Sequence, residues 1–205
     1  PFYFNLKIQL EMSHVELNQL SLTAAQAALK GGIEILEVYN KETAQVQIKG
    51  DDSPLTQADT RAHQAIMKIL EPTGIPVLSE EGKHLPFEDR AGWTQLWIVD
   101  PLDGTKEFIK RNGEFTVNIA LVENGRPIMG VVYVPVTGEL YMGTREQGAV
   151  KLIINAEAEI KSEQLSRGKS LPVKMERPFT AVGSRSHMNA ETEDFLETYR
   201  EEHGQ

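Results

Sequence analysis

Residues 115–154 restrict the fold more than any other stretch, because FTVNIALVENGRPIMGVVYVPVTGELYMG and then GAVKLII repeat one pattern. Apolar residues alternate or run together over strand-sized lengths, and turn signals separate them at Asn124-Gly125, Pro135 and Gly138. Links this short join antiparallel neighbours, since a parallel return needs a crossover of about a dozen residues. An antiparallel meander is therefore predicted, and the rest of the chain has to cover it.

Upstream, SHVELNQLSLTAAQAALKGGIEILEVYN sets Ser13 and Glu16 at capping-box spacing. Val15, Leu20, Leu29, Ile33 and Leu36 form a stripe at helical spacing, which predicts a long amphipathic helix. KGDDSPLTQADTRAHQAIMKIL predicts a polar loop and a second helix that buries Ala62, Ile66, Ile69 and Leu70. GIPVLSEEG predicts a short buried strand over 75–78 that ends in paired glutamates, and TQLWIVD a strand that also ends in acid. Residues 155–178 are polar and charged, and are expected as a strand and linker crossing to another layer. FTAVGSRSHMNAETEDFLETYREEHGQ restores a strand, a Gly-Ser turn and a helix. No internal repeat or low-complexity tract occurs. The order of elements gives an α+β class moving toward α/β, with a first domain over 1–155 and the start of a second over 156–205.

At 205 residues and 40% apolar content the chain can bury a sizeable core. No apolar run approaches the roughly 18 residues of a membrane span, and the first residues lack a signal peptide's basic start and cleavage site. Cytoplasm is the expected location, with association at the inner face of the membrane an alternative. The absence of cysteine excludes disulfides and thiolate metal sites, so any metal is held by oxygen or imidazole. A net charge of −9 argues against a nucleic-acid surface. Phosphates would be met locally, through cations.

The chemistry concentrates in LWIVDPLDGTKEF, where an apolar strand runs into two aspartates, a glycine and a threonine. Three segments deliver acids: Asp51, Asp52 and Asp59 around the second helix start, Glu80 and Glu81 after PVLS, and Asp100 and Asp103 after WIV. Carboxylates gathered this way repel unless protons or cations sit between them. Mg²⁺ suits such a set, since it takes a few carboxylates and completes its shell with water and substrate phosphate. Asp100 and Asp103 bracket Pro101 and Leu102, so the turn can aim both carboxylates and the Leu102 carbonyl at one point. Gly104 lets backbone approach a phosphate, and Thr105 opens a short helical stretch with a hydroxyl that could orient a water. Metal-assisted attack of water on a phosphate ester follows from this set.

Taken singly, each piece has a plainer explanation. Thr56 and Asp59 have capping-box spacing, Glu80-Glu81 can be solvated turn acids, and Asp103-Gly104 is a common turn dipeptide. His14, His63, His84, His187 and His203 show no ligand spacing and are expected at the surface or core edge. There is no G-x-x-x-x-G-K-[ST] loop and no G-x-G-x-x-G after a strand. DPLDGT also has one residue more than the D-x-D-G-T of aspartyl-phosphate phosphatases, and does not fit the calcium loop D-x-[DN]-x-[DN]-G.

DPLDGTKEF resembles the D-P-[IL]-D-G-T signature of the inositol monophosphatase superfamily, lithium-sensitive Mg²⁺-dependent phosphatases. KGDDSPLTQAD is similar to the superfamily's K-x-D-x-S-P-V-T-x-A-D loop, and LSEEG to its S-E-E turn. GTKEF, GEFTVNIALV and VGSRSH resemble the CysQ-type 3'(2'),5'-bisphosphate nucleotidases within it. The resemblance runs from about residue 15 to the end and implies a layered α/β/α/β/α sandwich of the inositol monophosphatase and sugar phosphatase type. It implies that Glu80, Asp100, the Leu102 carbonyl and Asp103 hold two or three Mg²⁺ ions, with Asp100 bridging two and Glu80 serving both a metal and its water. Thr105, assisted by Asp51 or Asp59, would position and activate the water. Glu80, Leu102, Asp103, Gly104 and Thr105 would surround the phosphate, with Ser184 and Arg185 on the substrate's second phosphate. The implied substrate is adenosine 3',5'-bisphosphate or 3'-phosphoadenylyl sulfate, left by sulfate assimilation and sulfotransfer; the bisphosphate gives AMP and phosphate.

Members of the superfamily continue into a second domain with a G-x-S-x-K segment and a late W-D-x-x-A-G motif whose aspartate completes a metal site. Neither occurs here, and no tryptophan follows Trp97. The chain is thus expected to match the N-terminal two-thirds of such an enzyme, with its second domain incomplete. Two alternatives remain: an inositol phosphate or sugar bisphosphate phosphatase, and an inactive fragment that binds Mg²⁺ and phosphate. The sequence does not decide an oligomeric state.

Overall fold

The structure is a computed structural model that describes residues 13–41, 54–83, 85–173, 180–184 and 188–203. The chain divides after Val173 into two compact units. Among the described residues no helix is long and apolar enough to cross a membrane.

Helix α1 (His14–Lys41) opens where the sequence places it, with Ser13 Oγ accepting the Glu16 N–H at 3.2 Å. Its buried face differs from the expected stripe. Val15 is 80% exposed, Ile33 is only half-buried, and the interior face is built from Ala24, Ala25, Ala27, Ala28, Leu29, Gly31, Gly32 and Ile35. Small residues are selected there because neighbours come very close. A Cβ on Gly31 would meet Ile66 Cδ1 at 2.9 Å, and one on Gly32 would meet Tyr133 Cε1 at 2.5 Å. Helix α2 (Pro54–Leu70) buries Ala58, Ala62, Ile66 and Leu70, as the pattern predicts for three of them. Ile69 packs against the core only partly buried.

One seven-stranded sheet follows chain order: β1 (Val77–Ser79), β2 (Gln95–Asp103), β3 (Thr116–Glu123), β4 (Arg126–Val134), β5 (Glu139–Thr144), β6 (Gly148–Ile153) and β7 (Lys169–Leu171). The predicted meander is β3 to β6, each strand antiparallel to the next. β1 is parallel to β2, and the connection between them contains the short helix α3 (Phe87–Arg90). Register places the core on one face: Trp97 opposes Leu121, Val99 opposes Ile119, Ile119 opposes Val131, and Val117 opposes Tyr133, all buried. The opposite face carries Ile98 and Val132, at 43% and 40% exposure.

After β2 the chain forms α4 (Thr105–Lys110), held to the end of α1 by aromatic rings packed tilted and edge-on. Tyr39, Phe108 and Phe115 lie 5.0 to 5.4 Å apart, centroid to centroid. Arg111, left-handed at φ 58°, lays its guanidinium 4.3 Å over the Tyr39 ring and donates to the Tyr39 carbonyl at 2.6 Å.

Residues 155–173 extend the first unit, where a crossing to another layer was expected. α5 (Ser162–Leu165) leads into β7, which pairs antiparallel with β6, and Ile160 is buried in the core. The compact unit therefore runs 18 residues past the sequence-based edge at 155, to Val173. In the second unit, α6 (Ala190–His203) is capped by Asn189, whose Oδ1 accepts the Thr192 N–H at 2.8 Å. Residues 180–182 form no strand, although a strand was expected there ahead of the Gly183-Ser184 turn.

Candidate active site

The carboxylates of β2 are set by a bulge. Asp100 opposes Asn118 and Asp103 opposes Thr116, so two residues on β2 face one on β3. Pro101 lies inside the bulge, where a strand can do without its missing N–H. Asp100 Oδ1 accepts the Leu102 N–H at 3.2 Å, and the Leu102 side chain is buried, which pins the turn. Asp103 is exposed, and its Oδ2 accepts from Asn118 Nδ2 at 3.1 Å. Asn118 Oδ1 in turn accepts the Thr116 hydroxyl at 3.1 Å.

Gly104 has φ 95°, and a Cβ there would meet the Glu114 carbonyl at 3.0 Å and Phe115 Cα at 3.1 Å. Glycine is required by the chain's own backbone, which accounts for the residue without a ligand. Thr105 follows, exposed at the first position of α4, and the Gly104 carbonyl accepts the Phe108 N–H at 2.9 Å.

The second acidic turn hangs from β1. The Ser79 carbonyl accepts the Gly82 N–H, and the Glu80 N–H donates to the Val99 carbonyl, both at 3.0 Å. Glu80 is thereby tied to the residue just before Asp100. From the other side, α2 supplies Asp59. Helix α2 begins at Pro54, so Thr56 lies within it and the capping-box explanation of Asp59 fails.

The electrostatics are those of excess negative charge. Burial, then Glu81, Asp100 and Glu80, push the Asp59 carboxyl up to about 7. Burial, then Glu80 and Asp103, push Asp100 up to about 6, against the favourable N–H of Leu102. Among the described residues, Asp59 Oδ1 is buried and has no hydrogen-bond partner. No three or more His, Asp or Glu side chains among the described residues are grouped so that they could hold a metal ion by themselves. An unpaired buried carboxylate oxygen among further carboxylates fits a divalent cation whose shell is completed by water and substrate.

Of the residues singled out in the sequence, Asp59, Glu80, Asp100 and Asp103 are thus brought together, with Thr105 two residues beyond Asp103. Asp51 and Arg185 lie outside the described residues, and Ser184 belongs to the second unit. Glu81, named among the acids but not among the ligands, is the carboxylate that perturbs Asp59 most. Asn118 carries no signal of its own, because its contact with Asp103 depends on strand register.

The Inositol monophosphatase family profile matches residues 16–204. The 3'(2'),5'-bisphosphate nucleotidase CysQ of Escherichia coli (strain K12) is 44% identical over 176 residues, covering 84% of this chain and 66% of that protein. The crystal structure of CysQ from Bacteroides thetaiotaomicron superposes with a TM-score of 0.86 at 48% identity, covering 93% of this chain and 71% of that one. An inositol monophosphatase from Anabaena (Nostoc) sp. PCC 7120 gives 0.54 at 28% identity, covering 66% of this chain and 47% of that one. The chain spans 66% of the length of the Escherichia coli relative. Profile, identity and superposition agree over most of its length: this chain belongs to the inositol monophosphatase family.

Proposed function

We propose that this chain carries the metal-binding part of a Mg²⁺-dependent phosphatase that removes the 3'-phosphate of adenosine 3',5'-bisphosphate to give AMP and phosphate. The uncompensated negative charge where Asp59, Glu80 and Asp100 meet carries the proposal. Likeness to relatives named 3'(2'),5'-bisphosphate nucleotidase supports the choice of substrate.

Glu80, Asp100, the Leu102 carbonyl and Asp103 would hold two or three Mg²⁺ ions. Bound there, the ions supply positive charge that polarises the phosphoryl oxygens and favours ionisation of the entering water. The Thr105 hydroxyl orients that water, and Asp51 or Asp59 receives its proton. The Gly104 and Thr105 backbone N–H groups donate to the phosphate. The water oxygen bonds to phosphorus as the bond to the 3'-oxygen breaks, and the departing 3'-oxygen takes a proton from solvent water while the entering water's proton stays on the aspartate. Lithium sensitivity, a cytoplasmic location and a role in clearing the nucleotide by-product of sulfate assimilation go with this proposal. Residues 174–205 would belong to a second domain.

The test is phosphate release from adenosine 3',5'-bisphosphate with Mg²⁺, beside inositol 1-phosphate and with lithium added. Selective, lithium-sensitive release from the nucleotide is expected. Faster release from inositol 1-phosphate would overturn the substrate. A second possibility, a Mg²⁺-binding piece without turnover, draws on the two-thirds span relative to the curated proteins. Mg²⁺ binding with no release from either compound would select it.

A further inference from the structure

His63 stands outside the ligand set, yet it is built into the same corner. It lies four residues after Asp59 on α2, so both occupy one side of the helix. Its Nδ1 shares a hydrogen bond of 2.9 Å with Ser79 Oγ in a partly buried setting. Ser79 is the last residue of β1, and its carbonyl closes the Glu80-Glu81 turn by accepting the Gly82 N–H at 3.0 Å. That turn is tight: a Cβ on Gly82 would come within 3.0 Å of the Ser79 carbonyl. The sheet side of the turn is fixed by the Glu80 N–H on Val99. Its helix side is fixed through Ser79, and Glu80 and Glu81 are among the carboxylates that act on Asp59.

We propose that His63 is a positioning residue which, through Ser79, holds the Glu80-Glu81 turn at a set distance from Asp59 and so sets the Mg²⁺ affinity of the site. The proposal rests on the metal-binding function above. His63 touches no reacting atom. Two carboxylate-bearing elements, a helix and a strand end, repel each other across this corner, and a hydrogen bond between them opposes that separation.

Mg²⁺ binding by this chain is measured by calorimetry for His63→Ala, Ser79→Ala, the double variant and His63→Asn, whose side-chain amide can occupy the place of Nδ1. Each Ala variant should weaken Mg²⁺ about tenfold, as loss of a supporting contact behind a ligand typically does. The double variant should be no weaker than either single one, and His63→Asn should restore affinity. Unchanged affinity in His63→Ala, or additive losses in the double variant, would overturn the proposal. Amide exchange is followed without metal at residues 79–82, where His63→Ala should speed exchange while β3 to β5 stay as in the parent. Unchanged exchange there overturns the positioning role whether or not Mg²⁺ binds. A parent chain that binds no Mg²⁺, with faster exchange at 79–82 still seen in His63→Ala, overturns the metal-binding function and the affinity claim together and leaves the positioning role standing. Should His63→Ala fail to fold, Ser79→Ala and His63→Asn carry the same comparison.

Discussion

Asn118 donates through Nδ2 to Asp103 Oδ2 at 3.1 Å, linking β3 to the exposed carboxylate beyond the β2 bulge. Asn118→Ala should leave Asp103 free to turn away, and Mg²⁺ affinity should fall roughly tenfold, as for other supports behind metal ligands. Thermal stability should change little, since the contact is exposed. Mg²⁺ titration beside a melting curve separates the two effects, and unaltered Mg²⁺ affinity would mean that Asp103 needs no such support.

Asp103→Asn tests the ligand set directly. The amide keeps the size of the side chain and its contact with Asn118 while removing the charge. Phosphate release should be abolished and the far-UV circular dichroism retained. Retained turnover would rule out Asp103 as a metal ligand.

The acidic corner predicts a pH dependence with a definite sign. Asp59 and Asp100 titrate at about 7 and about 6 in the folded chain, and at about 4 when unfolded. Between those limits these two carboxyls bind more protons in the folded state than in the unfolded state, so their contribution to stability falls as pH rises from about 4 to 7. Melting temperatures in chelator should therefore decline across that window, and Mg²⁺ should reverse the decline at its upper end. Asp59→Asn or Asp100→Asn should flatten the slope. A slope unchanged from the parent in both variants would show that these carboxyls do not share the corner.

Gly32 and Gly31 are adjacent on α1 but should differ in tolerance. A Cβ on Gly32 meets the buried Tyr133 ring at 2.5 Å, so Gly32→Ala should cost about 1–3 kcal/mol. At Gly31 the contact is the end of the flexible Ile66 side chain at 2.9 Å, and alanine's better helix propensity, worth about 1 kcal/mol, offsets much of it. Urea unfolding of the two variants gives the comparison, and equal stabilities would show that the α1 to β4 approach is looser than the geometry indicates.

Whatever depends on near neighbours was legible in the order of residues. Ser13 with Glu16 marked the start of α1, and alternation broken at Asn124-Gly125 and Gly138 marked the meander. The acids of DPLDGT and SEE stood out because two such turns have little local reason to carry so much charge. The tertiary structure alone decided the rest. Val15 satisfies the helical stripe and still faces water, because the helix buries its alanines and glycines where Ile66 and Tyr133 come close. The three residues of β7 have no legible pattern, and β6 recruits them into the first sheet. Asn118 reaches Asp103 and His63 reaches Ser79 across 15 and 16 positions of chain. Local pattern fixes backbone conformation through sterics and hydrogen bonding, whereas such pairings arise only when register and helix packing bring distant atoms within bonding distance.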